Sequence, residues 1–473
     1  MTTSQITLNQ TQNLGAQLQG HATVLSPGNE EFEGSLGRWS AIGYQRPGVV
    51  VRPRDAQGIA RTVRFAKDHH LDLAVQGGGH STHTASSSDG GILVDLGTMS
   101  RVSVDTGTQT VTVQGGATWA DVSRETAKYK LAVVGGTVSQ VGVGGLTLRG
   151  GYGYLAPQYG LVLDNLLAAN VVTGEGTELK ASTEENSDLF WAIRGAGPNV
   201  GIAEEFAFQA YPQSNLVWCG MRSYPSSEVP KVIEALNKAL FHPRGKAAAQ
   251  CILSLSPEDE TTPVISTVLF FNGCEEEGRR HFAQLLELEC MIDQVKMRPY
   301  SETNTILDPL VPPGGRKRLL GTQLATPVRP GFAMELMEHI SLKLTNEPDL
   351  AKSSLEIDFF DLTQVCRTPH EETAFPARSR LLNAAFMLQW TDPNKDKDFL
   401  SWGASMQKLC EVELRSQGYT PNITASNFIG YTQADKLTAA DMFNVNADRL
   451  LDIKRKYDPA NVFNKLNPLD RSM

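Results

Sequence analysis

Residues 73–81 read Leu-Ala-Val-Gln-Gly-Gly-Gly-His-Ser, an apolar run that ends abruptly in three glycines and a histidine. Leu73, Ala74 and Val75 fit a short buried strand. Gly77, Gly78 and Gly79 free the backbone to turn and to bring successive N–H groups against a ligand. That is the geometry of an anion nest, suited to a phosphate or pyrophosphate. His80 stands at the edge of the nest, where a ring nitrogen could act as nucleophile toward a cofactor. Taken alone, these residues fit a tight turn with a solvated histidine better than a ligand site, so the flanking sequence has to decide.

Upstream, residues 49–51 form a short apolar strand, and Pro53 and Asp55 open a helix whose apolar positions are Ile59, Val63 and Ala66. Downstream, residues 92–94, 102–104 and 111–113 read as three more short strands, and residues 119–130 as a helix. The pattern is α+β, with strands paired over short distances, and not the strict alternation of a doubly wound nucleotide fold. A second glycine cluster follows, Gly142-Val143-Gly144-Gly145 and then Gly150-Gly151-Tyr152-Gly153. So many glycines are costly to order unless backbone must pass close to something flat or charged. Their spacing is not G-x-G-x-x-G between a strand and a helix, which excludes an NAD fingerprint. A third site, residues 188–197, is an aromatic helix end that breaks into glycines before Val200-Gly201-Ile202 resumes as a strand; a capped helix with a packed tryptophan explains it equally well.

Glycines thin out after Tyr211, which places a domain boundary near Pro212. Residues 262–271 and 383–390 then read as buried strands, and 278–289 and 399–416 as helices. Near the end, residues 441–456 form an amphipathic helix stopped by Asp458-Pro459. The composition is that of an ordinary soluble protein. Its 43 basic and 52 acidic residues give a net charge of −9, which disfavours nucleic acid as a partner. No run is apolar enough to span a membrane. The first residues carry no secretory pattern, so an intracellular, cytoplasmic location is expected. The six cysteines include no CxxC pair, and no metal site is expected.

The glycine clusters and the C-terminal string that ends in Tyr457-Asp458-Pro459-Ala460-Asn461 occur in one order. With them the sequence resembles the berberine-bridge-enzyme-like branch of the vanillyl-alcohol-oxidase flavoprotein superfamily. Its organisation is most similar to that of the hydroxynicotine-oxidising members. The resemblance covers residues 44–211 and 428–469. It implies an α+β fold with a two-part FAD-binding domain of the PCMH type, residues 1–212, and a substrate domain with an antiparallel sheet, residues 213–425. Residues 426–473 would return to the FAD domain.

The resemblance also implies FAD held covalently through His80, with Gln76, Gly77, Gly78, Gly79 and Ser81 along the diphosphate. Many members add a cysteinyl link where this chain has Val138, so a single link is expected. Gly142, Gly144, Gly145, Gly150 and Gly153 would press against the flavin, Ile202 would fall beside adenine or ribose, and Asn461 would lie near the ring. Val141 matches the family's oxygen gate, where a small side chain favours an oxidase. The implied reaction moves hydride from a small organic metabolite to the flavin and then to O2, giving H2O2, in specialised metabolism. A flavin scaffold for cyclisation or isomerisation, a dehydrogenase that does not use O2, and a decayed flavin site are the alternatives. The base is the gap. On the strand facing the flavin, Asn383, Ala385, Met387 and Gln389 include no strong base. Gln389 is expected to bind substrate, and Tyr431 and Tyr154 remain as candidate phenols.

Overall fold

Strands that are apolar on both faces need cover on both faces, and the first sheet is built of them. The computed structural model describes residues 5–419, 438–466 and 469. Strands β1 (Ala22–Leu25), β2 (Val49–Pro53), β3 (Leu73–Gln76) and β4 (Ile92–Asp95) lie side by side in the order β1-β2-β4-β3. β4 runs parallel to both β2 and β3, with Ile92 opposite Val49 on one side and Leu73 on the other. A parallel pair needs a crossover, and the helix Ala56–Asp68 supplies it. Asp55 caps that helix by accepting from the Gly58 N–H at 2.9 Å, and Ile59, Val63 and Ala66 pack into the core of the sheet. The parallel unit departs from the short-range pairing read from the sequence; β2 and β4 are too uniformly apolar to leave a face in water.

The chain next forms the antiparallel hairpin of β5 (Val102–Asp105) and β6 (Thr110–Gln114), then the two-residue β7 (Leu131–Ala132). With β8 (Leu166–Thr173), β9 (Glu178–Ser182) and β10 (Gly201–Gln209), the hairpin completes a five-stranded sheet ordered β5-β6-β10-β8-β9. β11 (Tyr211–Pro212) pairs back on β7.

The remaining strands are β12 (Val217–Pro225), β13 (Ala247–Leu255), β14 (Pro263–Phe271), β15 (Ile292–Asp293), β16 (Lys296–Arg298), β17 (Arg316–Leu324), β18 (Ser354–Phe360) and β19 (Leu382–Trp390). They form an eight-stranded antiparallel sheet, β15-β12-β14-β13-β18-β19-β17, with β16 beside β12. Side chains alternate across a strand, so each strand offers two faces. Cys251, Leu253, Leu355, Ile357 and Phe359 join the core shared with the helices Val229–Ala239, Pro330–Asn346 and Asp396–Ser416. Ala248, Ile252, Phe270 and Phe360 have the other parity and pack into the core of the five-stranded sheet. Gln250, Glu356 and Asp358 share that second parity, with Gln250 directly opposite Asp358. The register therefore places an amide and two acids between the two halves of the molecule.

Two expected helices are broken. Residues 275–286 divide into Glu275–His281 and Ala283–Leu286 at Phe282, whose ring is buried. The C-terminal helix divides into Ala439–Phe443 and Ala447–Tyr457 at Asn444, which takes φ +49°. Asn446 then donates to the carbonyls of His370 and Thr373. From the last turn of the Ala447–Tyr457 helix, Lys454 Nζ meets Asp458 at 2.5 Å, and Asp458 accepts the N–H groups of Val462 and Phe463, both at 2.8 Å. This buried clasp returns the chain end to the first sheet. Among the described residues, no helix is long and apolar enough to cross a membrane.

Candidate active site

β3 delivers the backbone into the loop of residues 77–81, and Gly79 makes the turn with φ +67°. The second glycine cluster comes back against it. A Cβ on Gly78 would sit 2.6 Å from the Gly142 Cα, and one on Gly142 would sit 2.5 Å from the Gly78 N. Only two glycines permit that approach, so the two clusters touch backbone to backbone. Together they form one wall of a cavity of about 380 Å³. The opposite wall is the inner face of the eight-stranded sheet, with Gln250, Glu356, Asp358, Asn383, Ala385 and Met387. The size is that of a small-molecule or cofactor site. Buried polar atoms on its walls that find no partner among the described residues include His80 Nε2, Gln76 Oε1, His83 Nε2 and Asn383 Nδ2. Unsatisfied buried polar atoms are costly, and water or a bound ligand can supply the missing partner.

His80 stacks on Trp39 with ring centroids 4.0 Å apart and an interplanar angle of 15°. Burial and the charge of Lys317 pull its pKa down to about 3, so the ring is neutral across the physiological range. A neutral imidazole with an unengaged nitrogen is a nucleophile and not a proton donor. Lys317 is itself drawn down to about 8 by burial.

The inner face of β13 and β18 carries the acid chemistry. The Gln250 amide Nε2 donates to Glu356 Oε1 at 2.9 Å and to Asp358 Oδ1 at 3.0 Å. The Tyr154 hydroxyl donates to Gln250 Oε1 at 2.7 Å, which fixes the way the amide faces. Burial raises the pKa of both carboxyls. The charge of Asp358 raises Glu356 further, whereas the Gln250 bond lowers Asp358. Like charges this close do not both ionise readily, so the pair retains a proton into the neutral range. Beside it, burial raises the Tyr152 hydroxyl, which lies against Asn383. The arrangement can accept a proton from an N–H or O–H group presented in the cavity.

The structure brings most of the sequence-derived residues to this cavity. Gln76, Gly77, Gly78, Gly79, His80, Ser81, Val138, Val141, Gly142, Gly144, Gly145 and Ile202 all line it. Five others lie off its wall. Gly150 packs on Phe375 and Gly153 on the Gly135 backbone, where an added Cβ would fall 2.7 Å and 1.7 Å from its neighbour; both are packing glycines, and Gly151 takes the wall position. Asn461 shapes the chain-end turn with φ +52°. Gln389 spends its amide on the carbonyls of Lys352 and Leu310. Tyr154 is buried behind Gln250 and reaches the cavity only through it. Tyr431 lies outside the described residues.

The acids Glu356 and Asp358, with Gln250, are what sequence reading missed. The signal was present as Leu355-Glu356-Ile357-Asp358-Phe359, an alternation that puts both acids on one face of a strand. Among the described residues, no cluster of His, Cys, Asp and Glu is arranged to hold a metal ion.

Comparison with known proteins identifies the family and the fold. Residues 47–182 match the FAD binding domain family, and residues 428–468 match the berberine and berberine-like family. The FAD-linked oxidoreductase pgmH of Aspergillus terreus is 31% identical, over 97% of this chain and 95% of that protein. The crystal structure of 6-hydroxy-D-nicotine oxidase from Arthrobacter nicotinovorans has a TM-score of 0.79 at 26% identity, over 95% of this chain and 98% of that one. BBE-like 1 of Physcomitrella patens shares the fold with a TM-score of 0.83, at 20% identity over 98% and 99% of the two chains.

Proposed function

The chain belongs to the berberine-bridge-like family of FAD-linked oxidoreductases, and from that premise we propose that it is an oxidase of a small metabolite, with O2 as the final electron acceptor. FAD fits the residues present. The backbones touching at Gly78 and Gly142 hold the two glycine loops together as one wall, Gly145 leaves that wall open with nothing within 4 Å of where a Cβ would sit, and the partnerless Gln76 Oε1 and His80 Nε2 border the space. Gln76 to Ser81 would hold the diphosphate, Gly142 to Gly145 the ring, and Ile202 the adenosine end. His80 would carry a single covalent link, since Val138 offers no thiol for a second. When bound, FAD supplies the acceptor for hydride from the substrate carbon and passes those electrons to O2.

The protein supplies position and proton handling. Glu356 and Asp358 face the glycine cradle across the cavity, so a substrate lying between them meets a proton acceptor on the side away from the loops. Gln250 keeps the two carboxylates at a fixed spacing, and Tyr154 keeps Gln250 from rotating. Asn383 adds an unsatisfied donor and Tyr152 a phenol for orienting a polar group. Val138, Val141, Leu319, Ala385 and Met387 are apolar and keep water from the rest of the space. Such a site suits a compact, largely apolar molecule with one amine or hydroxyl beside the oxidised carbon. The observation that carries this reading is the acid pair facing the glycine loops, because it provides the base that an oxidase needs. An amine needs less help from a base than an alcohol. Val141 leaves room for O2.

The test is re-oxidation. Protein reduced with dithionite and mixed with aerated buffer should return to the oxidised flavin spectrum within seconds, and turnover of a substrate should release H2O2. Re-oxidation over many minutes, with turnover that yields no peroxide, would replace the oxidase by a dehydrogenase or a flavin scaffold.

A further inference from the structure

His80 does not hold its own orientation; Trp39 holds it. The indole lies flat against the imidazole and is fixed from several directions. Its Nε1 donates to the Val311 carbonyl at 2.9 Å, and its backbone N–H donates to the Gly79 carbonyl at 3.1 Å. Lys317, from β17, donates Nζ to the Trp39 carbonyl at 3.3 Å and lies 5.1 Å from the ring centre. The same Nζ donates to the Gly314 carbonyl, and Ser40 bonds both the N–H and the carbonyl of Lys317. A loop from the beginning of the chain is thereby stapled to the eight-stranded sheet, and the staple ends in a flat plate under the histidine. Trp39 is 4% exposed, so the plate cannot swing aside without breaking these bonds.

We propose that Trp39, clamped by Lys317, is the positioning residue that holds His80 at the angle from which Nε2 bonds the flavin methyl carbon. The inference rests on the covalent reading given above. In that step His80 Nε2 gains a bond to the methyl carbon. The carbon gives up one C–H hydrogen and the imidazole its N–H hydrogen, both as protons. The electron pair of the broken C–H bond goes to the ring system and then, with the two protons, to O2, which leaves as H2O2. The imidazole needs no activation by a base, because it is already neutral; what it needs is a fixed approach, and orientation is worth orders of magnitude in such a reaction. A free imidazole at the edge of a glycine loop would rotate about two side-chain bonds, and stacking removes that freedom.

The experiment follows acid-stable flavin in full-length Trp39→Leu, Trp39→Phe and Lys317→Met. Each purified protein is given excess FAD, and the flavin that remains with acid-precipitated protein is measured against time, beside the total flavin bound before precipitation. Trp39→Leu should bind FAD but link it at least about tenfold more slowly than the native chain, whereas Trp39→Phe, which keeps a flat face, should stay within about threefold. Lys317→Met should be slowed by about three- to tenfold with FAD still bound. The idea is overturned if Trp39→Leu links at the native rate, or if Trp39→Phe is no faster than Trp39→Leu, since either result makes the stack irrelevant. Should Trp39→Leu not fold, a native linking rate in Lys317→Met overturns it instead. A native protein without acid-stable flavin is a different failure, because it removes the covalent reading itself.

Discussion

Replacing Asp358 by asparagine should move the acid limb of the rate profile toward lower pH. Gln250 Nε2 lies 2.9 Å from Glu356 Oε1 and 3.0 Å from Asp358 Oδ1, so those two oxygens can be no more than about 6 Å apart by simple geometry. Two unit charges at about 6 Å repel by about 3 kcal/mol at an effective dielectric of about 20. That is about a hundredfold in a proton equilibrium. The sign follows from the causes: burial raises Glu356, and the Asp358 charge raises it further. Removing that charge lowers Glu356, so its ionised, proton-accepting form persists into more acid solution. The assay is kcat/KM from oxygen uptake between about pH 4 and pH 9, where the limb reports the essential base of the free enzyme. In Asp358→Asn the limb should move acid-ward by about two pH units. In the double variant with Glu356→Gln the plateau should fall by about 10²–10⁴. A limb that stays in place in the single variant, or a native plateau in the double variant, would remove the acid pair from the reaction.

Three further substitutions separate roles that the structure keeps apart. Tyr154→Phe strips the donor from Gln250 Oε1 and leaves a buried acceptor unsatisfied, costing about 1–3 kcal/mol. Its Tm should fall while kcat changes by less than about tenfold, and a loss of turnover beyond about a hundredfold would make the phenol catalytic after all. Val141→Leu should slow re-oxidation of the dithionite-reduced protein in stopped flow without loosening FAD; an unchanged rate would end its assignment as oxygen gate. Asp458→Asn uncouples the buried Lys454 pair and should cost about 3–5 kcal/mol in urea unfolding. It should also weaken FAD retention, since Phe463 and Lys465 of the following turn line the cavity. A native midpoint would mean that the clasp carries no stability.

The cofactor side was largely legible and the substrate side largely was not. Glycine clusters announce themselves because their ordering cost has few explanations, and the pair at Gly78 and Gly142 is needed for the contact seen. Glycine says that something must come close without saying what. Gly150 and Gly153, read as flavin contacts, are occupied by Phe375 and by the chain's own backbone. The expected base strand, residues 383–390, does border the cavity through Asn383, Ala385 and Met387, but the acids sit on its neighbour β18. Acid-apolar alternation in β18 looks the same in sequence whether the acid face meets water or an enclosed space. Only the pairing of β18 with β13, which sets Gln250 opposite Asp358, shows that it is enclosed. Asn461 was read from the C-terminal motif and Gln389 from its place on the strand; the structure puts Asn461 at a left-handed turn position and spends the Gln389 amide on the Leu310 and Lys352 carbonyls.

The most direct test of the central claim is a mass spectrum of the tryptic peptide of residues 68–101, which carries His69, His70, His80 and His83. It should be heavier by one FAD less two hydrogens, with fragmentation placing the added mass on His80 alone. An unmodified peptide from protein that is yellow and active, or the added mass on one of the other histidines, would contradict it.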